Sequence, residues 1–234
     1  MASTATYLKK RSELETYFDR TAAEAWAKLT SDAPVSGIRA TVRAGRDAMR
    51  ETLLSWLPED MSGLTLLDAG CGAGQLAVEV ARRGAHVIAV DLSGTLVGLA
   101  RERAAELPMS GTIEFHVGDA FDTGLGEVDH IVAMDSVIHY GAEDIADILA
   151  GFAARARRSV AFTFAPRTPL LAAMHTAGKL FPKSDRSPAI QPVSEKGLRR
   201  RITAHPGLKG WAAPRTQTVK SGFYFSQAME LTAP

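Results

Sequence analysis

A glycine-rich segment in the first half of the chain is the clearest candidate for a ligand-binding site. Residues 68–74 read Asp-Ala-Gly-Cys-Gly-Ala-Gly, and they follow an apolar run and precede a helical pattern. Glycines at such a turn let a ligand approach the bare backbone, and the start of the next helix offers N–H groups to it. Asp91 ends the next apolar run, where a carboxylate can accept hydrogen bonds from both hydroxyls of a ribose. Together the two features predict a nucleoside-binding site.

The acid that begins this loop indicates which nucleoside is bound. Asp68 disfavours the pyrophosphate of a dinucleotide and favours a cation, because opposite charges attract at short range. The pattern D-x-G-x-G-x-G with a second acid after the next strand resembles the class I S-adenosylmethionine-dependent methyltransferases over residues 60–165. That resemblance implies S-adenosylmethionine as the cofactor, with the loop around its methionine moiety, Asp91 at its ribose and Asp119 at its adenine. The cofactor-binding residues that it implies are Asp68, Gly70, Cys71, Gly72, Gly74, Asp91, Leu92, Ser93, Gly118, Asp119, Ala120, Met134 and Asp135.

Cysteine and histidine usage argues against a metal site of the protein's own. Cys71 is the single cysteine, and we expect it to be a small buried residue of the loop rather than a nucleophile. The six histidines show no spacing typical of metal ligands. We therefore predict no metal site.

Strand and helix patterns alternate through the middle of the chain and must position the loop. Apolar runs are interleaved with helical patterns from residue 64 to residue 164, which predicts βαβ units and a mostly parallel sheet covered on both faces. With the resemblance, this predicts a Rossmann-like α/β fold with a seven-stranded, mostly parallel sheet. The predicted strands lie at 64–68, 86–91, 112–116, 128–134 and 159–164, and the predicted helices at 75–83, 95–106 and 142–155.

The two ends of the chain depart from this alternation. Helices are expected over residues 7–29 and 37–57, another over 194–204, and a closing hairpin within 211–231. We interpret residues 1–58 as a helical arm that covers a substrate. Residues 59–234 then form the methyltransferase domain, with a proline-rich lid insertion at about 165–195.

Two features bear on the methyl acceptor. His139 follows the fourth strand in the segment Asp-Ser-Val-Ile-His-Tyr, where it could orient or deprotonate an acceptor or serve only as a structural histidine. This segment lacks the N-P-P-[YF] tetrapeptide of many nucleic-acid amino-methyltransferases. The spacing of Arg39, Arg43, Arg46 and Arg50 puts four guanidiniums on one helical face, either as a solvated face or as partners for carboxylates.

Three strings together carry a closer resemblance. They are YFDRTAAEAWAKLTSDAPVSGIRATVRAGRDAMR, DAGCGAG and DSVIHY, and they are similar to the magnesium-protoporphyrin IX O-methyltransferases of bacteriochlorophyll biosynthesis. The resemblance implies methyl transfer to one propionate of magnesium protoporphyrin IX, giving the monomethyl ester. A propionate has a pKa of about 4.5 and is ionised at neutral pH. We therefore expect His139, the one proposed catalytic residue, to orient the carboxylate or contact the porphyrin or its magnesium. The implied substrate-binding residues are Tyr17, Phe18, Trp26, Arg39, Arg43, His139 and Tyr140.

The distribution of charge limits the partners. The net charge is only +1, but residues 61–154 hold 4 basic and 14 acidic side chains, and residues 155–220 hold 14 basic and 2 acidic ones. The net charge excludes a protein that coats polyanions, whereas the basic last third suits a carboxylate substrate, an anionic membrane surface or an acidic partner. We expect a cytoplasmic protein with peripheral membrane contact and no nucleic-acid ligand. Its partner would be the porphyrin-binding subunit of magnesium chelatase or the downstream cyclase.

Three other functions stay open at this point. The first is methylation of another small acid, a phenol or a quinone, which would use the same cofactor residues. The second is RNA methylation, suggested by the run Arg199-Arg200-Arg201 and by the basic last third. The third is a protein that binds S-adenosylmethionine without catalysis.

Overall fold

The alternating apolar runs form parallel strands, as the sequence predicts. The structure is a computed structural model that describes residues 5–21, 30, 37–121, 123–167 and 189–234. Within these residues the strands are β1 (Thr65–Ala69), β2 (His86–Asp91), β3 (Thr112–Val117), β4 (Val128–Ala133), β5 (Ala156–Phe164), β6 (Ala212–Ser221) and β7 (Tyr224–Thr232).

All seven described strands belong to one sheet, in the order β3-β2-β1-β4-β5-β7-β6. The first five pair in parallel, and β7 runs antiparallel to both β5 and β6. The strand order reverses between β1 and β4, and open α/β sheets bind ligands in the crevice at such a reversal. This confirms the predicted fold class and the closing hairpin.

Helices lie on both faces of the sheet and enclose two hydrophobic clusters. The described α-helices are α1 (Ala5–Thr16), α2 (Gly37–Leu54), α3 (Gln75–Arg82), α4 (Gly94–Ala105), α5 (Ala142–Ala153) and α6 (Glu195–Ala204). Successive residues of β4 point to opposite faces, so that Ile131 joins the cluster under α5 and α6 while Val132 joins the cluster under α2 and α3. The sheet is therefore buried on both sides, which explains why its strands lack a polar–apolar alternation.

The two N-terminal helices differ in how they join this core. α2 buries Met49 and Leu53 completely beneath the sheet. α1 continues into one π-helical segment, Tyr17–Thr21, and contributes Leu14 to the opposite cluster. The division of the chain at residue 58 stays a prediction.

Part of the predicted arm and most of the predicted lid lie outside the described residues. These parts are residues 1–4, 22–29 and 31–36 of the arm and residues 168–188 of the lid. A parallel β-bridge between Pro166 and Val193 joins the chain on the two sides of residues 168–188. The N–H of Gln191 also donates to the carbonyl of Ile138 at 2.9 Å. In the part of the chain that the structure describes, no helix is both long and apolar enough to cross a membrane.

Candidate active site

A cavity of about 340 Å³ opens at the carboxyl ends of the parallel strands. Segments that follow β1, β2, β3 and β4 line it together with residues of α1, α2 and β7. A volume of this order is typical of small-molecule sites in proteins. The predicted site residues that line it are Phe18, Asp68, Gly70, Cys71, Gly72, Asp91, Leu92, Gly118, Asp119, Ala120, Met134, Asp135, His139 and Tyr140.

The glycine-rich loop makes two turns that other residues would strain. Gly70 has a φ of 86° and Gly72 a φ of 53°, both in the left-handed region that favours glycine. The backbone N–H groups of Gly70 and Cys71 donate to the carbonyl of Val90 at 2.8 and 3.0 Å, which ties the loop to the end of β2. A Cβ atom at Gly70 would lie 2.5 Å from the Cβ of Ser136, so the loop also touches the segment after β4.

Asp91, the last residue of β2, holds the same loop through its side chain. Its Oδ2 accepts from the N–H of Gly72 at 2.8 Å, and its Oδ1 accepts from the N–H of Ser93 at 2.9 Å. Burial raises the pKa of Asp91, although these backbone hydrogen bonds oppose the rise. Ser93 does not line the cavity. Its side chain caps α4 by accepting from the N–H of Leu96.

Asp68 is a buried acid that lines the cavity and has one oxygen without a hydrogen-bond partner among the described residues. Its side chain is only 2% exposed, and its Oδ2 has no hydrogen-bond partner among the described residues. Burial, with the nearby Asp91 carboxylate as a second cause, raises the pKa of Asp68 to about 7. A cationic ligand would satisfy the unpaired oxygen and lower this pKa. The donor set therefore fits the ammonium group of a methionine-like moiety.

Asp119, which follows β3, is the third acid of the predicted cofactor site, and Tyr7 of α1 packs against it. Its Oδ1 accepts from the N–H of Phe121 at 2.9 Å, and its Oδ2 accepts from the hydroxyl of Tyr7 at 2.5 Å. The Tyr7 ring stacks on Tyr140 with centroids 5.6 Å apart. Burial, followed by the hydrogen bond to Asp119, raises the pKa of Tyr7. Tyr140, predicted to contact the acceptor, thus packs in an aromatic cluster beside the predicted adenine position.

Two more contacts attach the N-terminal segment to the same rim. Asp19 accepts from the N–H and the hydroxyl of Thr95 at 3.1 and 3.0 Å and from the hydroxyl of Ser93 at 3.2 Å. The carbonyl of Thr30 accepts from Gln75 and from Arg103, each at 3.1 Å. The N-terminal segment therefore touches the cofactor region at three separate places.

The opposite part of the cavity is organised around Asp135. This residue has a φ of 55°, and it is the only described non-glycine residue with a positive φ. Its carboxylate accepts from Nη1 of Arg46 at 2.6 Å and from the hydroxyl of Tyr224 at 3.0 Å, and its N–H donates to the hydroxyl of Thr163 at 2.8 Å. A backbone conformation this unusual persists because several hydrogen bonds hold it.

His139 lies in the same region but is firmly packed. Its side chain is 4% exposed, and its Nδ1 lies 3.4 Å from the carbonyl oxygen of Ala189. The Phe18 ring meets the imidazole edge-on at 6.3 Å between centroids. The histidine is therefore fixed between the N-terminal segment and the chain that returns after residue 188.

The remaining predicted residues lie elsewhere. Gly74 and Ser93 do not line the cavity, and Tyr17 packs edge-on against Phe18. Arg39 is exposed in the first turn of α2, and neither it nor Arg43 lines the cavity. Trp26 lies outside the described residues.

Arg46 and Arg50 occupy the cavity wall instead, because the second half of α2 is the part that packs against the core. The arginine spacing had placed all four guanidiniums on one face without indicating which of them reach the cavity. Sequence patterns do not identify Tyr7 or Tyr224 as residues of this site, because no local pattern marks either one. Among the described residues there is no group of three or more His, Cys, Asp or Glu side chains that could hold a metal ion.

Two family models match this chain. One, described as the C-terminus of magnesium-protoporphyrin IX methyltransferase, matches residues 133–233, and a general methyltransferase domain matches residues 66–158. The first match covers Asp135, His139 and the closing hairpin, but not the wall that α2 contributes to the cavity. The second covers most of the cofactor part.

Similar proteins extend the match over nearly the whole chain. A magnesium-protoporphyrin O-methyltransferase of Rhodobacter capsulatus is 45% identical over 227 residues, which are 96% of this chain and 97% of that protein. The chloroplastic magnesium protoporphyrin IX methyltransferase of Arabidopsis thaliana is 32% identical over 92% of this chain and 68% of its own length. A crystal structure of magnesium protoporphyrin IX methyltransferase from Synechocystis with bound S-adenosylhomocysteine superposes with a TM-score of 0.82 at 27% identity, over 96% of this chain and all of that one.

Proposed function

The chain belongs to the magnesium-protoporphyrin IX methyltransferase family, and we propose the reaction that it catalyses. It transfers the methyl group of S-adenosylmethionine to a propionate carboxylate of magnesium protoporphyrin IX. The products are the monomethyl ester and S-adenosylhomocysteine. The reaction belongs to the biosynthesis of chlorophylls and bacteriochlorophylls.

One observation carries the proposal beyond the family match. A single cavity is lined both by the acids Asp68, Asp91 and Asp119 and by a second group of residues that includes Arg46 and His139. The first group suits the ammonium, ribose and adenine of S-adenosylmethionine, and the guanidinium of the second suits a carboxylate. Both reactants can therefore meet in one cavity, which is the main requirement for a transfer between them.

The chemistry needs little proton transfer. S-adenosylmethionine supplies a methyl group on a positively charged sulfur. A carboxylate oxygen forms the new bond to that methyl, and the sulfur keeps the electron pair of the bond that breaks. Because the propionate is already ionised at neutral pH, the protein must orient one oxygen, exclude water and hold the cationic ligand. Asp68 performs the last task, and His139 performs the first.

His139→Ala tests the role of the histidine. We expect about a tenfold fall in kcat, since loss of orientation worth about 1.4 kcal/mol in the transition state changes the rate by that factor. The affinity for S-adenosylhomocysteine should stay unchanged, because His139 lies outside the cofactor part. Full turnover in this variant would remove the histidine from the mechanism, and His139→Gln serves as the conservative control.

We also propose that the basic C-terminal part docks peripherally on an anionic membrane or on a neighbouring enzyme, either the porphyrin-binding subunit of magnesium chelatase or the downstream cyclase. Arg200, Arg201 and Lys209 are exposed on and after α6 and support this proposal. Cosedimentation with vesicles containing anionic phospholipid, but not with neutral vesicles, would support the membrane alternative. Equal binding to both vesicles would contradict an electrostatic contact.

The reaction itself is tested by methyl transfer from labelled S-adenosylmethionine. Magnesium protoporphyrin IX and metal-free protoporphyrin IX are compared as acceptors at equal concentration, and the ester is identified by mass spectrometry. We expect one methyl ester on the magnesium porphyrin. If the protein binds S-adenosylhomocysteine but forms no ester on magnesium protoporphyrin IX or on protoporphyrin IX, the proposed function is contradicted.

A further inference from the structure

The hydrogen-bond network around Asp135 is suited to binding part of the methyl acceptor. This inference rests on the proposed function and deepens it. We propose that Arg46, held by Asp135, which itself accepts from Tyr224, binds the propionate of the porphyrin that is not methylated. The site would thus fix the substrate by its spectator carboxylate and leave the other carboxylate available to react.

Arg46 is held in a defined position on the cavity wall. Its Nη1 donates to Oδ2 of Asp135 at 2.6 Å, and its side chain is 19% exposed. A guanidinium presents five N–H donors in a planar fork that matches the geometry of a carboxylate. Arg50 follows one turn later on the same wall and adds a second positive charge next to its partner Asp47, 2.9 Å away.

Asp135 is itself fixed by hydrogen bonds with Thr163 and Tyr224. Thr163 both accepts from its backbone N–H at 2.8 Å and donates to its Oδ1 at 3.3 Å. Tyr224 donates its hydroxyl to the same carboxylate at 3.0 Å, and burial, with Asp135 as the second cause, raises the pKa of Tyr224. The tyrosine therefore stays a hydrogen-bond donor at all physiological pH values. Asp135 and Tyr224 act as positioning residues for Arg46.

A glycine in α2 allows this arrangement. A Cβ atom at Gly45 would lie 2.5 Å from Cδ1 of Tyr224, so that any side chain there would separate the tyrosine from the helix. The next residue along the helix is Arg46. The close approach at Gly45 thus sets the distance between the helix that carries the guanidinium and the strand that carries the tyrosine.

The chemistry favours the spectator carboxylate over the reacting one. A carboxylate that accepts a bidentate, charge-assisted hydrogen bond has its lone pairs engaged and is a weaker nucleophile for the methyl group. A dicarboxylate allows the enzyme to separate the two tasks. Beside the arginine, the cavity wall includes Val42, Phe223 and Phe225, and this apolar surface suits a flat macrocycle.

The test compares the binding of the substrate and of its own product. Magnesium protoporphyrin IX and its monomethyl ester are titrated into wild-type protein and into Arg46→Met, with saturating S-adenosylhomocysteine and the Soret band as readout. The product keeps the spectator carboxylate and has lost the charge of the reacting one. We expect the variant to weaken both ligands equally, by about 10- to 100-fold, the value of a charge-assisted hydrogen bond.

Control variants separate this result from damage to the fold. Arg82→Met removes an arginine from another helix, where it pairs with Glu79 at 2.7 Å, and should leave both affinities unchanged. Tyr224→Phe should raise KM more than it lowers kcat, and Asp135→Asn, which keeps a residue tolerant of a positive φ, should do the same. Unchanged affinity for S-adenosylhomocysteine in the Arg46, Arg82 and Tyr224 variants shows that the cofactor part is intact.

Three outcomes decide the question. Equal weakening of substrate and product supports the assignment. Weakening of the substrate alone would show that Arg46 binds the reacting carboxylate and would overturn it, as would no weakening of either ligand. Failure of the wild-type protein to bind or methylate magnesium protoporphyrin IX is a separate result, which would reject the proposed function itself.

Discussion

The cofactor part and the acceptor part of the cavity are built in different ways. The cofactor part takes its acids from the carboxyl ends of β1 and β2 and from the segment after β3. Each acid is fixed mainly by nearby backbone N–H groups or by burial. The acceptor part joins Arg46, Asp135 and Tyr224, and each neighbouring pair is 89 residues apart in the chain. A binding site whose residues lie at strand ends can be shared by many methyltransferases. A binding site whose residues come from distant elements can differ between families that share the fold.

The two parts touch where the glycine-rich loop passes the segment after β4. Gly70 belongs to the first and Ser136 to the second, and there is no room between them for a side chain. A change at this contact should therefore affect both parts. Changes further away should affect only one.

The largest effect is expected for Gly70→Ala. The new Cβ would lie 2.5 Å from that of Ser136, at a φ of 86°. We expect kcat/KM to fall by more than about 100-fold, with weaker binding of both ligands. We also expect the free energy of unfolding to fall by about 1–3 kcal/mol. Gly72→Ala is the matched control, because its φ is also positive but a Cβ there meets nothing within 4 Å. Equal behaviour of the two variants would contradict the contact as the cause.

Asp68→Asn should affect the cofactor part alone. The amide cannot supply the negative charge that the buried oxygen offers to a cationic ligand. We expect the Kd for S-adenosylmethionine to rise by about 10- to 100-fold. The Kd for magnesium protoporphyrin IX should not change. If the porphyrin affinity falls by the same factor in calorimetric titration, the two parts are not independent.

The cofactor part should also respond to pH in a way that the acceptor part does not. Burial raises the pKa of Asp68 to about 7, so the carboxyl is mostly neutral at pH 6 and mostly ionised at pH 7.5. Because the ionised form attracts the ammonium group, affinity for S-adenosylmethionine should rise about tenfold over this interval. In Asp68→Asn the rise should disappear. A rise that persists in the variant would assign the titration to another group.

The smallest effect is expected for Tyr7→Phe. Its hydroxyl, on α1, donates directly to Asp119. Loss of this hydrogen bond should reduce the binding free energy of S-adenosylhomocysteine by about 1 kcal/mol, or about a fivefold change in Kd. The ring would still stack on Tyr140. Loss of cofactor binding altogether would show that α1 does more than cover the site.

The sequence was informative where a function depends on consecutive residues. Asp68, Gly70, Asp91 and Asp119 were predicted and line one cavity, because carboxyl ends of adjacent parallel strands meet at one edge of the sheet. The alternation of strands and helices predicted the fold for the same reason.

The acceptor part was predicted less completely. A helical period placed four arginines on one face of α2, but only packing against the core decides that Arg46 and Arg50 reach the cavity. Tyr224 pairs with Asp135 through the antiparallel hairpin, and no spacing in the sequence indicates that contact. Ser93 differs from both, because the resemblance implies that it binds the cofactor, whereas in the structure its side chain caps α4 and does not line the cavity.

We propose that one cavity holds the cofactor and the porphyrin side by side. Titration of magnesium protoporphyrin IX into protein saturated with labelled S-adenosylhomocysteine, with porphyrin binding and retained label measured in the same sample, tests this arrangement. We expect one bound porphyrin per chain with the label fully retained. Displacement of the label in proportion to bound porphyrin would show that the two ligands compete for one place, and would contradict it.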